Sequence, residues 1–282
     1  MDQAHTIVIV GCGYLGLRLA RRHPGTVIAT CRSAAGRARA QAAGCDARCL
    51  DVGDRPAVDR FIDSLPEGAL SVHYLVPPGL RGGAAGDQIA DDVYRFARRL
   101  RGRSPAVAIL ASSTAVYGDR AGGSVSADTP ADPDDARGRA LLAIEQAWIN
   151  GLANAKRLRL AGIYGPGRIV GERGLRAGTP IGADPDGWLN LIQVDDAAAL
   201  LDAFAGAGAA IELGADGVPV RRRDYYAFLA GLLGVDARFA EPTSGGRGSR
   251  RCAIEPTCAR TGWRPVYEDY RHGLRAAFGA AP

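Results

Sequence analysis

The residues best suited to chemistry crowd the N-terminal end of the chain. "GCGYLG" sets Gly11, Gly13 and Gly16 in G-x-G-x-x-G register directly after the apolar run "TIVIV". In that spacing the first glycine allows a tight turn, the second lets backbone approach a pyrophosphate, and the third lets a helix pack on the strand. The helix N-terminus, opening at Tyr14 and Leu15, then faces the phosphates. At the end of the next apolar run stands "TCRS", residues 30–33. A carboxylate there would accept hydrogen bonds from a ribose 2′-hydroxyl. Arg32 can instead pair with a 2′-phosphate and stack on adenine, and Ser33 can donate to the same phosphate. NADP is therefore the expected cofactor, with NAD as the alternative.

Composition removes several other chemistries. The six cysteines, Cys12, Cys31, Cys45, Cys49, Cys252 and Cys258, form no C-x-x-C pair, and the four histidines never fall at i, i+4 spacing, so no metal is expected. Lys156 is the sole lysine, which restricts lysine-based catalysis to one position. The net charge of +5 rests on arginines interspersed with acids, a pattern that argues against nucleic-acid binding. No apolar run approaches the ~20 residues that cross a bilayer, and "TIVIV" is too short for a signal-peptide core. A soluble, cytoplasmic protein is expected.

Positioning that glycine motif requires alternating strands and helices, and the pattern supplies them. Apolar runs at 6–10, 26–30, 47–51, 71–76, 106–112 and 156–163 alternate with helical periodicity from about Leu15, near 33–43, 56–64, 87–101 and 137–151. Strands this apolar are covered on both faces, which predicts an α/β fold: a doubly wound parallel sheet (Rossmann) with a smaller C-terminal substrate lobe. The expected division is 1–164 for the dinucleotide domain, with 191–213 returning to its core, and 165–282 mainly for the substrate lobe. The Gly-, Pro- and Arg-rich stretch 165–190 reads as a long surface loop or small lobe, and 241–250 as a mobile loop. Helices are expected at 195–205, with Asp195 and Asp196 as cap and first-turn residues, and at 224–234. Asp134 or Asp135 is expected to cap the 137–151 helix.

"GCGYLG", "CLDVGD", "ASSTAVYG", "RLRLAGIYGPG" and "NLIQVDDAAAL" follow one another in an order and spacing that resemble extended short-chain dehydrogenases/reductases of the NAD-dependent epimerase/dehydratase type. The resemblance covers most of the chain, and the last third is similar to an atypical bacterial subgroup. It implies that Asp51 and Val52 hold the adenine edge. "HYLVPPG", with Val76, Pro77 and Pro78, would border the cofactor, and Tyr164 to Pro166 would lie near the nicotinamide. Ser113, four residues before Tyr117, would hydrogen-bond the reacting oxygen.

The catalytic pair of that family is missing. Its tyrosine, a phenol of pKa ~10, becomes a usable base through a lysine four residues on. Registering on Glu145, which the family places eight residues after the tyrosine, puts Arg137 at the Tyr position and Leu141 at the Lys position. Lys156 has Leu152 four residues before it, so no other register restores the pair. A guanidinium of pKa above ~12 cannot shuttle a proton, but Arg137 can anchor an anion or polarise a carbonyl. The Asp-Glu pair of the dehydratases is replaced by Thr114 and Ala115. Water, Tyr117, Tyr164 or the substrate remain as proton donors.

Two readings follow. One is an NADP(H)-dependent oxidoreductase or epimerase-like enzyme acting on a small or nucleotide-linked substrate. The other is a non-catalytic NADP-binding redox sensor or regulatory protein. Arg168, Arg173, Arg176, Arg221 to Arg223, Arg250 and Arg251 could clamp an anionic substrate. The partners expected are that small molecule and a second copy in a homodimer, with neither nucleic acid nor membrane.

Overall fold

The computed structural model describes residues 5–79, 86–241 and 249–279. The N-terminal half alternates β1 (Thr6–Val10), α1 (Tyr14–Arg22), β2 (Val27–Cys31), α2 (Ala34–Ala42), β3 (Asp46–Cys49), α3 (Arg55–Asp63), β4 (Leu70–Tyr74), α4 (Gly86–Leu100) and β5 (Val107–Ser113). A 3-10 turn, Thr114–Tyr117, leads to β6 (Ser124–Val125), α5 (Ala136–Gly151), β7 (Ala155–Leu160) and β8 (Gly162–Tyr164). Then come α6 (Glu172–Arg176), β9 (Trp188–Leu189), β10 (Leu191–Gln193), α7 (Val194–Gly206), β11 (Ile211–Gly214) and β12 (Val220–Arg221). The C-terminal part is α8 (Arg222–Leu233), β13 (Arg251–Cys252), α9 (Glu255–Thr261) and α10 (Tyr270–Ala277).

Seven strands form one parallel sheet in the order β11-β7-β5-β4-β1-β2-β3. The chain winds outward from β1 to β3, then returns to β4 on the other side of β1. That reversal opens a crevice at the carboxyl ends of β1 and β4, where the glycine motif and Val76 emerge. Both faces of the sheet are covered. Leu15 and Leu19 of α1 and Leu200, Leu201 and Phe204 of α7 pack on one face. Phe61 of α3, Phe96 of α4 and Ile144 and Trp148 of α5 pack on the other. This double burial leaves every residue of β1, β2 and β4 buried.

A third core joins Tyr164, Leu175, Leu191, Tyr225, Leu229 and Leu274 beside the sheet. Beside the main sheet lie three two-stranded ladders, β8 with β10, β9 with β12, and β6 with β13. The stretch 165–190 is thus not a plain loop, since it carries α6 and β9. Gln193, not Asp195, caps α7: its side-chain oxygen accepts from the Asp195 amide. Asp196 instead accepts from the amides of Val266 and Tyr267, each at 2.9 Å, tying the C-terminal segment to α7. Of the loop expected at 241–250, residues 242–248 lie outside the described residues, while Arg251 and Cys252 are in β13. No described helix is long and apolar enough to cross a membrane.

Candidate active site

The three glycines meet three different spatial demands. Gly11 has φ +87°, and a Cβ there would lie 2.9 Å from the Val76 amide nitrogen, so the β1 turn nests against the strand across the crevice. A Cβ on Gly16 would sit 3.0 Å from Cγ2 of Ile9, where α1 packs on β1. Gly13 is exposed, and nothing lies within 4 Å of the Cβ position. Gly13 is also the N-cap of α1, whose first turn has no side-chain cap and no acidic residue. The positive end of the helix dipole and its free amides therefore open onto the space beside Gly13, a cradle that fits a pyrophosphate.

At the exit of β2, the Cys31 thiol donates to the Cys12 carbonyl at 3.3 Å and fixes that strand end against the glycine turn. Burial, reinforced by the neighbouring Cys45 and Cys31, pushes the Cys12 thiol up to about 12, so it stays protonated. Arg32 and Ser33 are exposed just beyond. The Ser33 oxygen accepts from the Gly36 amide at 3.1 Å as the N-cap of α2, which leaves its O–H as a donor. Asp51 is exposed and accepts from the Gly53 amide at 3.0 Å, with half-buried Val52 beside it. Val76 and Pro78 are half-buried and Pro77 is exposed after β4.

At the other end of the crevice, Ser113 closes β5, half-buried, its Oγ accepting from the Ala115 amide at 3.2 Å. A Cβ on Gly138 would lie 2.9 Å from the Ala115 carbonyl oxygen, so the first turn of α5 is pressed onto the turn that follows Ser113. Arg137, next to Gly138, is exposed there. Asp135 caps the helix, accepting from the Gly138 amide at 2.5 Å.

Glu145 has a partner that sequence reasoning missed. Its carboxylate forms a forked pair with Arg159 of β7, at 2.7 Å to Nη2 and 3.0 Å to Nε, and both side chains are almost wholly buried. The same guanidinium lies 4.9 Å from the Tyr117 ring centroid. Lys156 stands at the opposite end of β7 from Leu160, the register partner of Ser113. It donates to the carbonyls of Phe204 and Ala207, at 2.9 and 3.0 Å, and so closes the end of α7.

Two expected proton donors are enclosed. Tyr117 is fully buried and its hydroxyl donates to the Ser126 carbonyl at 2.8 Å. Burial raises its pKa, only partly offset by Arg159. Tyr164 is fully buried in the third core, with its hydroxyl against Gly273, and burial raises it further. Both hydroxyls, expected as candidate proton donors, thus lie in the interior. Among the other arginines, Arg176 pairs with Glu172 at 2.9 Å and Arg223 with Asp186. Arg250 donates to the Gly118 carbonyl, and Arg221 and Arg251 flank Trp188 at 3.9 and 5.6 Å. Arg222 is buried near the Asp184 carbonyl, and Arg173 and Arg168 are exposed.

No protein-family model matches the sequence. Protein YeeZ of Escherichia coli strain K12 is 30% identical over 253 residues, covering 86% of this chain and 89% of YeeZ. Among solved structures, a Methylobacillus flagellatus protein assigned as a NAD-dependent epimerase/dehydratase superposes with a TM-score of 0.79 at 25% identity, covering 99% of this chain and 98% of its own. MoeE5, solved in complex with UDP-glucose and NAD, superposes with a TM-score of 0.78 at 20% identity, covering 97% of each chain. The chain belongs to the extended short-chain dehydrogenases/reductases of the NAD-dependent epimerase/dehydratase family.

Proposed function

We propose that this protein is an NADP(H)-dependent oxidoreductase or epimerase-like enzyme acting on a small, anionic or nucleotide-linked substrate. The observation that carries the cofactor reading is the uncapped N-terminus of α1 beside open Gly13, with Arg32 exposed at the end of the adjacent strand. Asp51, Val52, Val76, Pro77 and Pro78 line the adenine and nicotinamide sides. The complex of MoeE5 with UDP-glucose supports a nucleotide-linked substrate. Residues 1–164 with 191–213 hold the dinucleotide, and 165–282 mainly receive the substrate. We read the protein as cytoplasmic and as a homodimer, the latter testable by light scattering.

When bound, a nicotinamide dinucleotide supplies hydride exchange. Ser113 orients the reacting oxygen through its hydroxyl. Arg137, exposed at the start of α5, holds an anionic group or polarises a carbonyl. With Tyr117 and Tyr164 enclosed, the proton is exchanged with water or with the substrate itself.

Titration calorimetry of wild type and Arg32→Ala with NADP+ and NAD+ tests the cofactor assignment. Loss of a charge-assisted bond predicts a fall of roughly tenfold or more for NADP+ and little change for NAD+. Equal shifts for the two would refute the NADP preference. NADPH turnover against carbonyl and nucleotide-sugar substrates, reduced by Ser113→Ala, supports the enzyme. The missing Tyr/Lys pair and the enclosed tyrosines favour one rival, a non-catalytic redox sensor. Tight NADPH binding without turnover on any substrate, and a fluorescence change on adding a partner protein, would decide for it.

A further inference from the structure

One loop bridges the cofactor cradle and the third core. After β8 the chain turns through residues 165–168, closed by the Gly165 amide on the Arg168 carbonyl at 3.0 Å and the reverse bond at 2.9 Å. A Cβ on Gly165 would come 2.7 Å from the Tyr14 hydroxyl, so the loop lies directly on the first residue of α1. The Tyr14 hydroxyl donates to the Pro166 carbonyl at 3.2 Å. The Arg168 guanidinium sits 5.5 Å from the centroid of the Tyr14 ring.

Arg168 is exposed and forms no ion pair among the described residues. Asp195, the acid that faces Tyr14, is already engaged by Arg18 at 3.4 Å. The aromatic platform therefore holds a cation at the lip of the amide cradle, and its own charge remains uncompensated. A guanidinium held in this way loses little freedom when it meets a phosphate, and it donates bidentately.

We propose that Arg168 binds the cofactor's pyrophosphate directly, reaching it from the loop that leads to α6, with Tyr14 as its platform. This rests on the dinucleotide reading above. The amides of α1 hold the phosphates from one side and Arg168 from the other. Cofactor binding thereby fixes the loop that enters the substrate lobe.

Affinities of wild type, Arg168→Gln and Arg168→Lys for NADP+, ADP-ribose and 2′-AMP test the proposal, with melting temperatures as a control for folding. Arg168→Gln is expected to weaken NADP+ and ADP-ribose by roughly tenfold or more and to leave 2′-AMP, which has no pyrophosphate, within about twofold. Arg168→Lys should recover part of the loss, and added salt should narrow the gap between wild type and Arg168→Gln. Unchanged NADP+ affinity in Arg168→Gln, or an equal loss for 2′-AMP, would overturn the role of Arg168 while leaving the dinucleotide site standing. Wild-type protein that binds none of the three ligands overturns the dinucleotide reading itself.

Discussion

Replacing Glu145 by leucine should destabilise the protein far more than its position on a retained helix suggests. The carboxylate side chain is 1% exposed and that of Arg159 is 3% exposed. Arg159 directs Nε and Nη2 at the carboxylate, and its Nη1 already has no hydrogen-bond partner among the described residues. Without Glu145, the guanidinium keeps only the face of Tyr117. A buried charge stranded in this way costs about 3–5 kcal/mol. Unfolding entropy of about 2.1 cal/mol/K per residue, over 282 residues, gives about 0.6 kcal/mol per degree, so Tm should fall by about 5–8 °C. Calorimetry or urea unfolding reads this directly. The double variant Glu145→Leu/Arg159→Met removes both charges and should recover most of the loss, because neither desolvated ion remains. A single-variant shift below about 2 °C, or a double variant as unstable as the sum of its parts, would refute the reasoning.

Gly13→Val places its side chain in open space, so Tm should stay within about 2 °C while dinucleotide binding collapses. Gly11→Ala, at φ +87° and 2.9 Å from the Val76 backbone, should instead lower Tm. Normal calorimetric binding by Gly13→Val would remove the cradle from α1. Lys156→Met loses two bonds to the end of α7 and should cost about 1 kcal/mol in urea unfolding with NADPH affinity intact; a loss of affinity would contradict its structural role. His73 is fully buried on β4 with neither ring nitrogen hydrogen-bonded among the described residues, and burial pushes its pKa from 6.5 down to about 4. Because the folded value is the lower, the unfolded chain takes up the proton first. The contribution of His73 is complete above pH 6.5 and declines as pH falls towards 4, by roughly 3 kcal/mol in all. His73→Leu should flatten that slope in urea titrations at pH 7.5, 5.5 and 4.5, and an unchanged slope would assign the acid sensitivity to other groups.

The glycine turn at the crevice was legible in the sequence because its requirements fall on the backbone. A turn at positive φ, an amide left open and a helix pressed onto a strand each admit glycine and little else, so three residues disclose them. The side chains around Ser113 were less legible because their requirements are directional. Tyr117 and Tyr164 stand close in sequence to Ser113 and to "YGP", yet the 3-10 turn sends the first hydroxyl to Ser126 and β8 sends the second towards Gly273. Nothing in their spacing records that. Arg159 was hidden for a related reason: in "KRLRL" alternating charges look like the wet face of a strand, and only α5 lying over β7 makes that face an interior. The pair with Glu145, together with Leu141, Ile144 and Trp148, gives α5 a structural reason to persist in a chain without a Tyr-x-x-x-Lys pair. The glutamate that marks the family's register answers to Arg159 rather than to substrate. Its retention therefore carries no information about whether chemistry was retained with it, and that question rests on Ser113, Arg137 and whatever the crevice admits beside them.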